Sequence, residues 1–406
     1  MPAGLSYPSG IMAVVDPHRT REPGLLGYVP MRPRSRTEEN RASTPLELLF
    51  DLCFVVAVAQ LGQRLVHDVA GAHAGHGVLL YLVVFFAVWW AWVNFTWFAS
   101  AYDCDDVLYR LATFVIMTGA LVVAASVPRA FDQGDFTALV VGYIIMRVAL
   151  CAQWLRAAHG ETGPARVAAL RFAGGLALVQ VAWTVLLILP GSWWWYGFLP
   201  LVLADLAVPA FAERAHQTSW HPHHIAERYG LFTIIVLGES ILAATFGVQT
   251  GIAASSNFGA VLPIAVGGLL IVFAAFWIYF AVPAHEYLDR MLPTFFWAYG
   301  HYFVFASAAA IGAGIEVAVE QATGVTHISR SAANAAVTIP TALFLFTVWL
   351  VHARRAKRTV PQKLILPVGA AVTLACTFAG SVAVPLVGLV AAAQVAVGVF
   401  LKDRTD

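Results

Sequence analysis

TPLELLFDLCFVVAVAQL, from Thr44 to Leu61, decides the fold. It is an apolar span that carries Glu47 at its mouth and Asp51 one helical turn further in. An acid inside a membrane helix is costly unless paired or hydrated, so it is a candidate for function by default. A second stretch, IAERYGLFTIIVLGESIL from Ile225 to Leu242, repeats the pattern with Glu227 at its mouth and Glu239 deep inside.

The whole chain agrees with a membrane reading. Of its 406 residues 60% are hydrophobic and only 12% charged, where soluble domains carry about 25%. Mean hydropathy is +0.74. A net charge of +1 without a long basic run gives no basis for nucleic-acid binding. The scattered Cys53, Cys104, Cys151 and Cys376 form neither a disulfide framework nor a zinc ligand set. No nucleophile elbow, zincin helix or phosphate loop is present, so an enzyme is not expected, nor a metal or cofactor. Residues 1–43, rich in Arg, Pro, Gly and Ser, are expected to be a disordered cytoplasmic tail.

Apolar runs of about 18 residues or more read as spanning helices. Twelve are expected, near 46–63, 77–100, 108–128, 136–157, 167–189, 192–212, 227–247, 258–282, 292–315, 334–353, 364–380 and 382–401. The fifth and sixth, and the last two, are so close that a re-entrant hairpin reads alike. With the amino terminus inside, only Arg64, Arg129 and Arg330 of the 24 basic residues lie outside, which favours cytoplasmic termini. At an offset of 180 residues Glu47 matches Glu227, Trp97 matches Trp277, Asp106 matches Glu286 and Arg110 matches Arg290. The expected plan is all-α: a first six-helix repeat over 44–212, a linker over 213–220 and a parallel second repeat over 221–402.

The candidate site follows from this plan. Glu47, Glu227 and His224 line the expected cytoplasmic mouth, and Thr44-Pro45-Leu46-Glu47 also reads as a capping box. Glu239 lies about 18 Å into its span at 1.5 Å per residue, beyond the midplane. Asp51, Glu239, Arg147, Asp205 and His301 make the set expected to handle an ion or proton; the alternative is structural ion pairs and a hydrogen-bonded histidine. Arg147 needs a carboxylate, with Glu239 as one choice. Asp106 with Arg110, and Glu286 with Arg290, are acid-before-base pairs at i,i+4 and are expected to be structural clamps. His216, His221, His223 and His224 crowd the linker, where solvated imidazoles are favoured over a metal site or pH sensor. The Trp89-Trp90-Trp92 cluster is expected to serve packing.

LELLFDLCFVVAVAQL at 46–61, NFTWFASAYDCDDVLYR at 94–110 and HHIAERYGLFTIIVLGES at 223–240 resemble the bacterial low temperature requirement A (LtrA) family. The resemblance implies a multi-pass protein of the bacterial inner or plasma membrane, associated with growth in the cold and without an agreed activity. Asp51, Phe54 and Ala57 are also similar to part of the first-helix signature of the endolysosomal potassium/proton channel family, with Leu49, Phe50 and Leu231 departing from it. That likeness implies a pore lined by the first helix of each repeat. The expected function is permeation of a proton or monovalent cation between the first and seventh helices. The alternatives are secondary transport of a small organic solute, and a non-transporting scaffold or stress role. The expected partners are the lipid bilayer, the permeant species and a second copy of the chain.

Overall fold

A computed structural model describes residues 29–35, 38, 41–255, 258–288, 291–357 and 359–403. Twelve helices in it are long and apolar enough to cross a membrane. They are α1 (Pro45–Ala70), α2 (Ala74–Tyr102), α3 (Val107–Gln133), α4 (Thr137–Gly160), α5 (Gly163–Ile188), α6 (Ser192–Glu213), α7 (Pro222–Ser255), α8 (Phe258–Phe280), α9 (Met291–Thr323), α10 (Arg330–Val348), α11 (Val360–Ala375) and α12 (Ala383–Asp403). No strand occurs among the described residues. Each close pair is two separate helices. Leu189–Gly191 divides α5 from α6, and two 3-10 turns, Cys376–Phe378 and Gly380–Val382, divide α11 from α12. The helices alternate in direction between a tail face, where α1 begins, and a far face.

Local chemistry sets the start of α1. The Thr44 hydroxyl accepts from the Glu47 amide at 3.3 Å, and Glu47 Oε2 accepts from the Thr44 amide at 2.8 Å. Pro45 occupies the first turn, where its missing N–H costs nothing. Small residues then set how near the helices come. A Cβ on Gly119 in α3 would stand 2.7 Å from the Gly142 carbonyl of α4, and one on Gly312 in α9 would stand 2.6 Å from Ser240 Cα of α7. Such approaches give van der Waals contact where lipid removes the hydrophobic drive for association.

α2 and α9 are the most enclosed spans, and the core between α2, α7 and α9 is aromatic. Trp92 stacks on Phe232 with centroids 4.5 Å apart and meets Tyr229 edge-on at 4.9 Å. α10 ends in a π-turn, Trp349–Ala353, which carries the buried His352. Part of the expected disordered tail belongs to the folded body. The Val29 amide donates to Asp106 and the Arg34 amide to the Ala101 carbonyl, while the buried Arg41 donates to the Ala99 and Ser100 carbonyls. Arg41 thus satisfies orphan carbonyls at the end of α2.

Candidate functional site

Two buried charge clusters organise the helices. The first joins α1 to α7. Glu47 and Asp51 are four residues apart on α1, and His224 and Arg228 are four apart on α7, so each pair shares a helix face. Arg228 Nη1 is 2.9 Å from Glu47 Oε1 and Nη2 is 2.5 Å from Asp51 Oδ1. Trp92 Nε1 donates to the same Asp51 oxygen at 2.7 Å, and His224 Nε2 is 3.2 Å from Glu47 Oε1. Asp51, His224 and Arg228 have no exposed surface. Glu47 therefore serves as cap and as ion-pair partner at once. Two carboxylates facing one guanidinium sum to −1, so one proton on the cluster would neutralise it.

This geometry places an ion-paired cluster where the expected cation path would run, at the α1–α7 contact. Arg228 lies between the acids, so the carboxylates expected to attract a permeant ion are already paired with a fixed guanidinium.

The second cluster lies in α2, α4, α5 and α6. Asp205 Oδ1 accepts from Arg147 Nη2 at 2.6 Å and from Trp90 Nε1 at 3.0 Å; Oδ2 accepts from Trp183 Nε1 at 2.8 Å. Arg147 is thus held by Asp205, not Glu239. Cavities lie on both sides of this cluster. The upper one, towards the far face, is lined by Val83, Ala87, Tyr143, Gln180, Trp183 and Asp205, with Phe136, Trp194 and Phe198 adding aromatic wall. The lower one, towards the tail face, is lined by Trp90, Val93, Asn94, Phe172, Glu213 and Tyr299 among others. Their empty volumes, open space included, are about 540 and 460 Å³. Along α2 the lining passes from Val83–Ala87 to Trp90–Trp97, along α5 from Gln180–Trp183 to Phe172, and along α6 from Trp194–Asp205 to Pro209–Glu213. The cavities are therefore in line, with the Trp90–Asp205–Arg147 cluster as a septum.

The remaining expected residues are dispersed. Glu239 is half-buried and makes no hydrogen bond or ion pair among the described residues. His301 is fully buried: Nδ1 faces the Trp297 carbonyl at 2.7 Å, and Nε2 lies 3.0 Å from the Tyr279 hydroxyl and 3.1 Å from His352 Nε2. Glu227 accepts from the Ser43 amide at 3.3 Å, tying the tail to α7. The Asp106–Arg110 clamp is corrected. Asp106 caps α3 through the Tyr109 amide and pairs with Arg156 of α4, while Arg110 takes Asp105 at 2.8 Å. The deeper partner wins because capping turns the Asp106 carboxylate inward. Glu286 lies in a 3-10 turn, Ala284–Tyr287, and its expected partner Arg290 lies outside the described residues.

Reading the sequence missed Arg228, Gln180, His352 and the indole donors Trp90, Trp92 and Trp183. The signal for Arg228 is its i,i+4 spacing from His224, which matches that of Glu47 and Asp51. The signal for the indoles is that acids within a span need buried donors.

Asp103, in the α2–α3 connection, gives a pH-dependent contact on the tail face. Burial pushes its carboxyl up to about 6, Glu47 adds to the rise, and Arg41 and Arg34 oppose it. Arg34 Nη1 is 3.7 Å away. The unfolded carboxyl titrates near 3.9, so the folded chain binds the proton more tightly and stability falls as pH rises from about 4 to 6. Melting of the detergent-solubilised protein across this window should show that decline, and Asp103→Asn should flatten it.

The family model of the bacterial low temperature requirement A protein (LtrA) matches residues 42–400. An uncharacterized protein of Rhizobium meliloti (strain 1021) is 31% identical over 237 residues, 53% of each chain. The aligned region spans about half the length of that curated relative.

Proposed function

The chain belongs to the bacterial LtrA family of membrane proteins, and from that premise we propose that it is a carrier for a small organic solute in the cell membrane. The observation that carries this reading is the pair of in-line cavities beside α2, α4, α5 and α6, one nearer each face and divided by the Arg147–Asp205–Trp90 septum. A closed layer with space on both sides is an arrangement that alternating exposure of a central site would use. On this reading the tail face is cytoplasmic, in keeping with the crowding of Lys and Arg there.

The α1–α7 cluster takes a separate part. Its single uncompensated negative charge suits a coupling proton held on His224 or a carboxylate, with Arg228 as the fixed counter-charge. The proton part of the permeation reading is placed there.

Stopped-flow light scattering on proteoliposomes tests the carrier. Wild type should admit at least one of glycerol, acetamide and benzamide faster than protein-free liposomes do, and Ala87→Trp, which fills the upper cavity, should return the rate to background. Equal rates for wild type, Ala87→Trp and empty liposomes would remove the support for transport.

A further inference from the structure

The connections on the tail face differ in charge balance. Those between α2 and α3, α4 and α5, α6 and α7, and α8 and α9 contain or adjoin acids: Asp103, Asp105 and Asp106, then Glu161, then Glu213, then Glu286 and Asp289. Cations there find partners, as Arg110 does in Asp105 and Arg156 in Asp106. The connection between α10 and α11 has no acid. Arg354, Arg355, Lys357, Arg358 and Lys363 fall within ten residues across it and the first turn of α11, and no Asp or Glu occurs from Gln321 to Lys402. Arg354 and Lys363 are exposed and make no ion pair among the described residues.

This basic corner borders lipid-facing surface. Val360, Leu364, Val368 and Val372 are exposed at four-residue spacing on α11, so they form one apolar stripe, and Lys363 lies at its tail-face end. Gln362 Nε2 donates to the Leu401 carbonyl at 3.2 Å, which brings the last turn of α12 alongside, with Phe400 exposed. The amino end of α11 adds partial positive charge. We propose that the corner binds an acidic phospholipid of the tail-face leaflet, its phosphate on the cations between Arg354 and Lys363 and an acyl chain along the α11 stripe. Clusters of about four or more Lys and Arg beside a span attract anionic headgroups, and here no acid in the connection opposes them. The long stems of Lys and Arg can lie on apolar surface while their charges reach the headgroup level. Asp403, the next acid along the chain, is flanked by Lys402 and Arg404 and brings no net negative charge. The inference rests on the spanning helices and not on the carrier reading.

Native mass spectrometry of the detergent-solubilised full chain tests this, with phosphatidylglycerol, phosphatidylcholine and inorganic phosphate as probes. Wild type should hold phosphatidylglycerol at least about tenfold more tightly than phosphatidylcholine, and the preference should shrink as ammonium acetate is raised. Arg354→Gln, Lys357→Gln and Lys363→Gln together should abolish it. Arg166→Gln, Arg171→Gln and Arg214→Gln together remove the same charge from another part of the tail face and should leave it intact. Should the first variant fail to accumulate, the salt series on wild type decides alone. Equal binding of the two lipids by wild type, a preference that ignores salt, one that survives in the first variant or vanishes equally in the second, or binding of inorganic phosphate in place of lipid would overturn the proposal.

Discussion

Arg228→Met should be among the most damaging single substitutions in the chain, lowering the stability of the solubilised protein by about 3–5 kcal/mol, the usual cost of breaking a buried ion pair from one side. The guanidinium is fully buried and contacts both Glu47 and Asp51. Its loss leaves two carboxylates near each other at the α1–α7 contact, with His224, Trp92 and the Thr44 cap as their remaining partners. The expected readout is a sharp drop in melting temperature or failure to accumulate in the membrane. Adding Glu47→Gln and Asp51→Asn should recover most of the loss, since the same contact is then uncharged. Continued instability in the triple variant would show that Arg228 acts through packing, because its long stem also fills space.

Much of the fold was legible because its signals are local. Long apolar runs marked all twelve spans, and Thr44-Pro45-Leu46-Glu47 marked the start of α1 through a capping box that the structure forms. Asp51, Arg147 and Asp205 stood out because charge in a span demands a partner. The pairing itself was not legible. Arg147 and Asp205 are 58 residues apart, and Arg228 and Asp51 are 177 apart, so only helix packing brings them together. The same limit spoiled the Asp106–Arg110 clamp, where a neighbour four residues away lost to Arg156, 50 residues on. Gln180 is uncharged, and a lone amide in a span demands a partner less strongly than a charge does. The cavities are gaps left between helices, with α9 adding to the wall of the lower one, and correspond to no motif.

The septum gives the second large effect. Asp205 accepts from two buried donors, on Arg147 and Trp90, and from the part-buried Trp183, so Asp205→Ala should strand all of them and cost about as much as losing Arg228. Arg147→Met together with Asp205→Leu replaces the pair by apolar volume and should be far better tolerated. This double variant separates stability from gating, since it keeps a folded chain while removing the charged layer between the cavities.

The in-line cavities are the central claim, and sided cysteine labelling tests them most directly. In a background without the four native cysteines, Ala87→Cys reports the upper cavity and Val93→Cys the lower. A membrane-impermeant methanethiosulfonate reagent should modify Ala87→Cys from the far face alone and Val93→Cys from the tail face alone. That sidedness should weaken when Arg147→Met and Asp205→Leu are added. Modification of both positions from the same face in the intact septum, or of neither from any face, would contradict the account.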